Sequence, residues 1–115
     1  MKMTERVVGQ TVIISLSGKL VFDVRKDFQD ALAKAREKNP RKIVLNIEEL
    51  AYLDSAGLGL LALGFEQAKV KNIEFCILKP SGTVMRILEM TQLPKIIPVF
   101  DSEEHALRSA KPVLA

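Results

Sequence analysis

The residues best suited to chemistry are Asp54 and Ser55, which follow a nearly continuous apolar run at residues 43–47. That run predicts a strand buried on both faces. Asp and Ser accept hydrogen bonds from the unpaired N–H groups in the first turn of a helix. A hydroxyl at Ser55 would then lie at the positive end of a helix dipole, where a phosphate is tolerated with little strain. Helix capping alone is the plainer interpretation of the same pair.

Two glycines, Gly57 and Gly59, lie just inside the predicted helix, where each costs about 1 kcal/mol relative to Ala. A sequence that keeps two such residues usually needs the close approach of another backbone, from a neighbouring element or from a partner. Both glycines, together with Asp54 and Ala56, are therefore predicted to flank a functional Ser55.

The predicted helix, residues 55–70, has two apolar faces rather than one. The first face consists of Leu58, Leu61, Ala62 and Phe65, and the second of Ala56, Leu60 and Leu63. The first charged residue is Glu66. A second apolar face is either buried under another element or offered to a partner, and the sequence leaves both interpretations open.

At 115 residues, the chain has the length of a single domain, residues 1–115, and can bury a core without disulfides. The longest apolar run, residues 56–65, is shorter than the roughly 18 residues that a membrane span needs. The start of the chain lacks the apolar segment of a secretion signal. The single cysteine, Cys76, is typical of a reducing cytosol and of a buried, inert thiol. We therefore expect a cytoplasmic protein without membrane insertion.

The net charge of +3 comes from 17 basic and 14 acidic residues scattered along the chain. The densest basic segment, residues 34–42, is interrupted by Glu37 and contains no aromatic residue. A nucleic-acid surface needs a denser basic stripe or a stacking platform. Direct binding of DNA or RNA is therefore not expected.

An enzyme would need groups that this sequence lacks. A serine hydrolase needs glycine two residues before its nucleophile, but Leu53 holds that position, and the one histidine, His105, lies in the last predicted helix. Residues 57–62 match a loose dinucleotide-binding fingerprint but do not directly follow a strand. One cysteine and one histidine cannot form a zinc site. We expect no catalysis, no metal and no cofactor.

The first third of the chain predicts a hairpin followed by a helix. The hairpin covers about residues 5–18, turns at Gly9 and Gln10, and ends at Gly18. Asp23 is predicted to cap the next helix, which is amphipathic.

The rest of the chain continues the alternation of strands and helices. A central strand at about residues 42–47 ends in a polar turn at Glu48 and Glu49, before the helix over 55–70. The later elements are a strand at 73–78, a helix from Ser81 that ends before Pro94, an edge strand at 96–100, a helix from Asp101, and a tail at 111–115 that we expect to fray. The order ββαβαβαβα predicts an α/β fold with a mostly parallel, mixed five-stranded sheet, an N-terminal hairpin and four helices.

The segment Asp54-Ser55-Ala56-Gly57-Leu58-Gly59, which follows an apolar strand, resembles the signature of the STAS domain. That family includes the bacterial anti-sigma-factor antagonists. Residues 16–20, 87–93 and 99–107 resemble the family's first long strand, its third helix, and its closing strand and helix. The resemblance covers nearly the whole chain and implies a STAS-like fold.

The resemblance implies a regulator that acts by binding. Ser55 would be the phosphoacceptor of a serine kinase that is itself the anti-sigma factor. The unphosphorylated protein would bind that kinase and release a sigma factor, and a PP2C-type phosphatase would reset the switch. The implied partner surface lies on the 55–70 helix and in the loop before the first helix, at Leu58, Leu60, Leu63, Val21 and Asp23.

Two residues depart from the family pattern. Val21 stands where switch-type members often carry an acidic residue, and Ala56 stands where Ser or Thr is common. Ala56 leaves Ser55 as the single hydroxyl of the motif. Val21 removes a charge from the expected kinase contact, and Asp23 either replaces that charge or only caps its helix.

Two other roles remain open at this stage. The chain could be a constitutive scaffold or a subunit of a stress-sensing, chemosensory or transporter-associated complex, with Ser55 only a helix cap. It could also bind a nucleotide or another small anion at the start of the 55–70 helix.

Overall fold

Five strands and five helices occupy residues 1–108, the part of the chain that this computed structural model describes. The strands are β1 (Lys2–Val8), β2 (Thr11–Leu20), β3 (Lys42–Leu53), β4 (Glu74–Leu78) and β5 (Val99–Phe100). The helices are α1 (Arg25–Glu37), α2 (Ser55–Val70), α3 (Gly82–Glu89), α4 (Leu93–Ile96) and α5 (Glu103–Arg108), and one turn of 3₁₀ helix, Phe22–Val24, precedes α1. The predicted fraying of residues 111–115 falls outside the described residues.

The strands form one sheet in the order β1-β2-β3-β4-β5. β1 and β2 pair antiparallel, and all later neighbours are parallel. The hairpin turns at Gly9, whose φ of 61° lies in the left-handed region that glycine adopts without strain. β1 begins at Lys2, three residues earlier than predicted. The predicted mixed five-stranded sheet with an N-terminal hairpin is confirmed.

The main core lies between one face of the sheet and helices α1, α2 and α3. Alternate strand residues point to each face of a sheet, so a second, smaller cluster forms on the other face, where β2, β3 and β4 pack against Ala106 of α5. Helix α1 buries Phe28, Leu32 and Ala35, part of the stripe that the sequence spacing predicts. The sheet therefore separates α2 from α5.

Strand β3 is longer than predicted. It continues through Glu48 and Glu49, which were expected to form a turn, as far as Leu53, and β2 continues past Gly18 to Leu20. The two extensions pair with each other, whereas β4 pairs only with the first five residues of β3. The glutamates stay exposed because they lie beyond the end of β4. Gly18 lies at a register shift inside β2 instead of ending it.

The helices also differ from the prediction at their ends. There are five rather than four, because Leu93–Ile96 forms α4, with Pro94 in its first turn, where no N–H donor is needed. The predicted strand at 96–100 is thereby reduced to β5. Asp23 lies inside the 3₁₀ turn and does not cap α1, whose N-cap is Val24 without a side-chain hydrogen bond.

Candidate functional site

The candidate site forms where β2 and β3 end side by side. Leu20 lies opposite Leu53 in the parallel register, so the loop after β2 and the start of α2 leave the sheet at the same edge. The carboxyl ends of parallel strands are the usual place for a site in an α/β fold. The backbone N–H of Asp54 donates to the carbonyl oxygen of Leu20 at 3.4 Å. The two segments therefore form one continuous surface.

Asp54 is the N-cap of α2, as the sequence predicts. Its backbone is extended, and its carboxylate accepts a hydrogen bond from the N–H of Gly57, with 2.8 Å between Oδ1 and N. Its carbonyl oxygen accepts from the N–H of Leu58 at 2.9 Å. Helix geometry leaves the N–H groups of Ser55 and Ala56 without an intrahelical acceptor. These two donors add to the positive field of the helix dipole at Ser55.

Ser55 is the first residue of α2 and is exposed. It is the only exposed serine within residues 1–108, since Ser15, Ser17, Ser81 and Ser102 are all half-buried. In the same part of the chain its hydroxyl makes no hydrogen bond to another residue. The Ser55 hydroxyl therefore has no hydrogen-bonding role in the described fold.

The two glycines of the site have different surroundings. A Cβ on Gly57 would overlap the carbonyl oxygen of Leu20 and lie 3.0 Å from the Cβ of Leu53. Gly57 therefore allows α2 to start directly against the end of β2, which is the close approach that the sequence predicts. A Cβ on Gly59 would meet nothing within 4 Å. No neighbour in the fold requires glycine there.

The first predicted apolar face of α2 packs on the core, whereas the second face is divided between the core and the solvent. The buried side of the helix consists of Gly57, Leu60, Leu61, Gly64 and Ala68. Leu60 is only 8% exposed and belongs to the main core, so its assignment to the partner surface is wrong. Leu58 is half-buried and packs against that core. Leu63 is 40% exposed and shares a stripe with Ser55 and Gly59, since residues four apart lie on one side of a helix.

The loop after β2 carries the other two residues assigned to the partner surface. Val21 is half-buried with an extended backbone, and Asp23 is exposed in the 3₁₀ turn. Both follow Leu20 closely, so the fold brings them to the edge of the sheet where α2 begins. Val21 supplies no charge there, and Asp23 has a side chain open to solvent.

Phe22, in the same loop, was not singled out from the sequence. The residue is 54% exposed, and the guanidinium of Arg25 lies over its ring, 3.7 Å from the centroid. The sequence does contain a signal for Phe22. It is an aromatic residue between a strand and a helix, and it belongs to the apolar periodicity of neither element. Phe22 is the largest exposed apolar side chain of this loop.

The other reactive side chains lie away from this edge. Burial raises the pKa of the Cys76 thiol to about 12, so the thiol stays protonated near neutral pH. His105 belongs to α5, which packs on the opposite face of the sheet from α2. Among residues 1–108, no three metal-ligating side chains form a cluster, and no helix has the length and apolarity needed to cross a bilayer.

A family model for the STAS domain matches residues 2–106 of the chain. The chain belongs to the STAS domain family. The anti-sigma F factor antagonist of Paenibacillus polymyxa is 31% identical to it over 100 residues, which cover 84% of this chain and 83% of that protein. Such STAS antagonists are regulatory proteins rather than enzymes.

Solved structures share the fold. The anti-sigma factor antagonist SpoIIAA in its unphosphorylated form matches with a TM-score of 0.77 and 24% identity, over 92% of this STAS chain and 93% of that one. The Bacillus cell fate determinant SpoIIAA in its phosphorylated form matches with a TM-score of 0.70, at 23% identity over 92% and 96% of the two chains. A sulfate transporter family protein from Wolinella succinogenes matches with a TM-score of 0.76, at 19% identity over 89% and 85%. The same fold thus occurs in antagonists and in a transporter family.

Proposed function

We propose that this STAS domain is a cytoplasmic anti-sigma factor antagonist that is switched by phosphorylation of Ser55. In its unphosphorylated form it binds an anti-sigma factor that is also a serine kinase, and a sigma factor is thereby released for transcription. A PP2C-type phosphatase restores the binding form. The observation that carries the proposal is the exposed Ser55 hydroxyl, without a hydrogen bond in residues 1–108, on the first residue of a helix capped by Asp54.

The names of similar proteins support this proposal. The Paenibacillus polymyxa relative is called an anti-sigma F factor antagonist, and a staphylococcal relative that is 28% identical is called an anti-sigma-B factor antagonist. SpoIIAA exists in unphosphorylated and phosphorylated forms. An antagonist role and a phosphorylated state therefore both occur among proteins with this fold.

The chemistry of the site explains how a phosphate could act as a switch. A phosphate adds about 1.5 to 2 negative charges and three acceptor oxygens. The open N–H groups of Ser55 and Ala56 and the helix dipole favour an anion there, so α2 can keep its conformation. The new charge lies beside the Asp54 carboxylate and on the stripe that includes Leu63. A partner packed on that stripe would meet unpaired negative charge, and a loss of about 3 kcal/mol lowers affinity by roughly a hundredfold.

The first test is mass spectrometry of the protein purified from its native host under several growth conditions. Trypsin should release residues 43–69 as one peptide, in which Ser55 is the only serine or threonine and Tyr52 the only other hydroxyl. We expect a phosphate on Ser55 that changes with growth condition. An unmodified peptide under every condition would contradict the switch.

The second test measures binding of the purified anti-sigma factor kinase to variants of the domain. Ser55→Asp should weaken binding by at least about tenfold, and Ser55→Ala should bind as the unmodified protein does. Gln67→Glu is the matched control, because it adds one negative charge to an exposed position on the same helix three turns away. Equal binding by Ser55→Asp and Ser55→Ala would contradict the proposal.

A constitutive role is the alternative, and the Wolinella succinogenes transporter family structure shows that the fold is used outside antagonists. A scaffold subunit should co-purify with its complex in the same amount whether residue 55 is Ser, Ala or Asp. Co-purification that depends on residue 55 excludes this alternative.

A further inference from the structure

We propose that Phe22, held in place by Arg25, is the apolar anchor through which this protein docks on the partner that senses Ser55. The partner's complement is an apolar pocket large enough for a phenyl ring. This inference rests on the proposed function and specifies the chemistry of the partner at that site.

Contacts within the protein restrain the ring of Phe22. Arg25 contacts this residue at two points: its guanidinium lies over the ring, 3.7 Å from the centroid, and its Nη1 donates to the backbone carbonyl oxygen at 3.0 Å. The 3₁₀ turn is also closed by a hydrogen bond from the N–H of Val24 to the carbonyl oxygen of Val21 at 3.1 Å. Fixing a side chain in advance lowers the entropy lost on binding. Yet 54% of the residue is exposed, so most of its apolar surface is still available to a partner.

The position of the ring ties it to the switch. Phe22 comes two residues after Leu20, and Ser55 comes two residues after Leu53, which is the register partner of Leu20. The N–H of Asp54 donates to the Leu20 carbonyl oxygen, and Gly57 lies against the same oxygen. A partner that covers the first turn of α2 therefore lies close to the loop that carries Phe22. Aromatic residues, Phe among them, are enriched in the buried centres of protein interfaces.

The charges around Phe22 indicate the kind of pocket that would receive it. Val21 carries no charge, and the charges of Asp23 and Arg25 are opposite. The loop offers a partner almost no net charge, so binding should depend on apolar burial rather than on ion pairing. Affinity governed by apolar contact is far less sensitive to salt than affinity governed by charge.

Val70 is a matched control on the same protein. It is also an exposed apolar residue, 83% exposed, but it lies at the other end of α2, about 22 Å along the helix axis from Ser55. If exposed apolar surface alone caused association, Val70 would matter as much as Phe22.

The test begins with a photo-crosslinking amino acid, benzoylphenylalanine, placed at position 22 or at position 70 of the full chain in its native host. We expect a discrete crosslinked protein from position 22 only, and its loss when Ser55→Asp is added. That protein is then purified and titrated. Phe22→Ala should bind it at least about tenfold more weakly, Phe22→Leu should lose less, and Val70→Ala should bind within about twofold of the unmodified chain.

Three results would overturn the anchor: crosslinking from position 70 but not 22, no crosslinking from position 22, or equal affinity of Phe22→Ala and Val70→Ala. Loss of binding by Phe22→Ala counts only if its unfolding midpoint matches that of the unmodified protein, as expected for an exposed ring. Raising the salt from 50 to 300 mM should change the affinity by less than about threefold, and a larger change would point to charge instead.

If Ser55 is never phosphorylated but Phe22→Ala still weakens binding, the switch fails and the anchor stands. If the phosphate abolishes binding but Phe22→Ala has no effect, the anchor fails and the switch stands.

Discussion

Helices α2 and α3 begin at the same edge of the sheet, and each has a serine at its start, but the two hydroxyls have different roles. In α3, Ser81 is the N-cap: its Oγ accepts from the N–H of Val84 at 3.3 Å and donates to the carbonyl oxygen of Leu50 at 3.3 Å. In α2, the cap is Asp54, and Ser55 is the next residue, with an exposed hydroxyl that bonds to no other residue in the described chain.

The difference shows what makes a serine available for modification. The Ser81 hydroxyl satisfies two backbone groups, so a phosphate there would have to break both contacts. At α2 the carboxylate of Asp54 performs the capping, and the hydroxyl of Ser55 is left over. A capping Asp followed by Ser thus leaves the hydroxyl of the second residue without a structural role, whereas a capping Ser uses its hydroxyl in the fold.

The largest predicted effect concerns Gly57, which lets α2 start against β2. Gly57→Ala places a Cβ on the carbonyl oxygen of Leu20, and the resulting overpacking should lower the free energy of unfolding by about 3 kcal/mol. The measurement is the urea unfolding free energy of the variant compared with that of the unmodified protein.

The matched control for that variant is Gly59→Ala, in the same helix with nothing within 4 Å of the added methyl group. It should raise the unfolding free energy by about 0.5 to 1 kcal/mol, because Ala is the better helix former. Similar destabilisation by both substitutions would mean that helix propensity, and not contact with Leu20, explains Gly57.

A smaller difference is expected between the two serines themselves. Ser81→Ala removes a cap and leaves the Leu50 carbonyl oxygen without that donor, so it should cost about 1 to 2 kcal/mol of unfolding free energy. Ser55→Ala removes no contact of the described chain and should stay within about 0.5 kcal/mol. Thermal or urea unfolding of both variants measures this difference, and a cost at Ser55 equal to that at Ser81 would show that Ser55 is a structural cap.

The sequence was sufficient for the local features of this edge. Cap chemistry depends on neighbouring residues only, so Asp54 could be recognised as the start of α2. The requirement for close approach at Gly57 was also visible, although the same expectation at Gly59 has no neighbour in the fold. The identity of the neighbour of Gly57 was not visible, because Leu20 is 37 residues earlier and is brought to Gly57 by the pairing of β2 with β3.

Features that depend on packing between distant segments could not be read in the same way. Leu60 and Leu63 look alike in the sequence, yet one faces the core and the other faces solvent. Their roles depend on the rotation of α2 about its axis, which the small residues Gly57 and Gly64 set by letting the helix approach β2, α1 and β4. The extension of β3 through Glu48 could not be predicted for a related reason. Beyond Asn46, β3 pairs with β2 but no longer with β4, and a strand with one open side can carry charged residues.

The smallest predicted effect is that of charge at Ser55 on stability, and it tests how the proposed switch would work. Ser55→Asp puts a carboxylate in the first turn of α2, where the helix dipole contributes about 0.3 to 1 kcal/mol in its favour, while the adjacent Asp54 carboxylate opposes it. The unfolding free energy should therefore change by less than about 0.5 kcal/mol. In an NMR spectrum of the backbone amides, only the signals near the start of α2 and in the loop from Leu20 to Arg25 should shift. The kinase-phosphorylated protein should behave in the same way.

If phosphorylation instead lowered the unfolding free energy by more than about 2 kcal/mol, with changes throughout α2, the phosphate would act by disrupting the helix. Ser55 would then support its helix as Ser81 does. Repulsion at the partner surface would not be needed to explain a loss of binding.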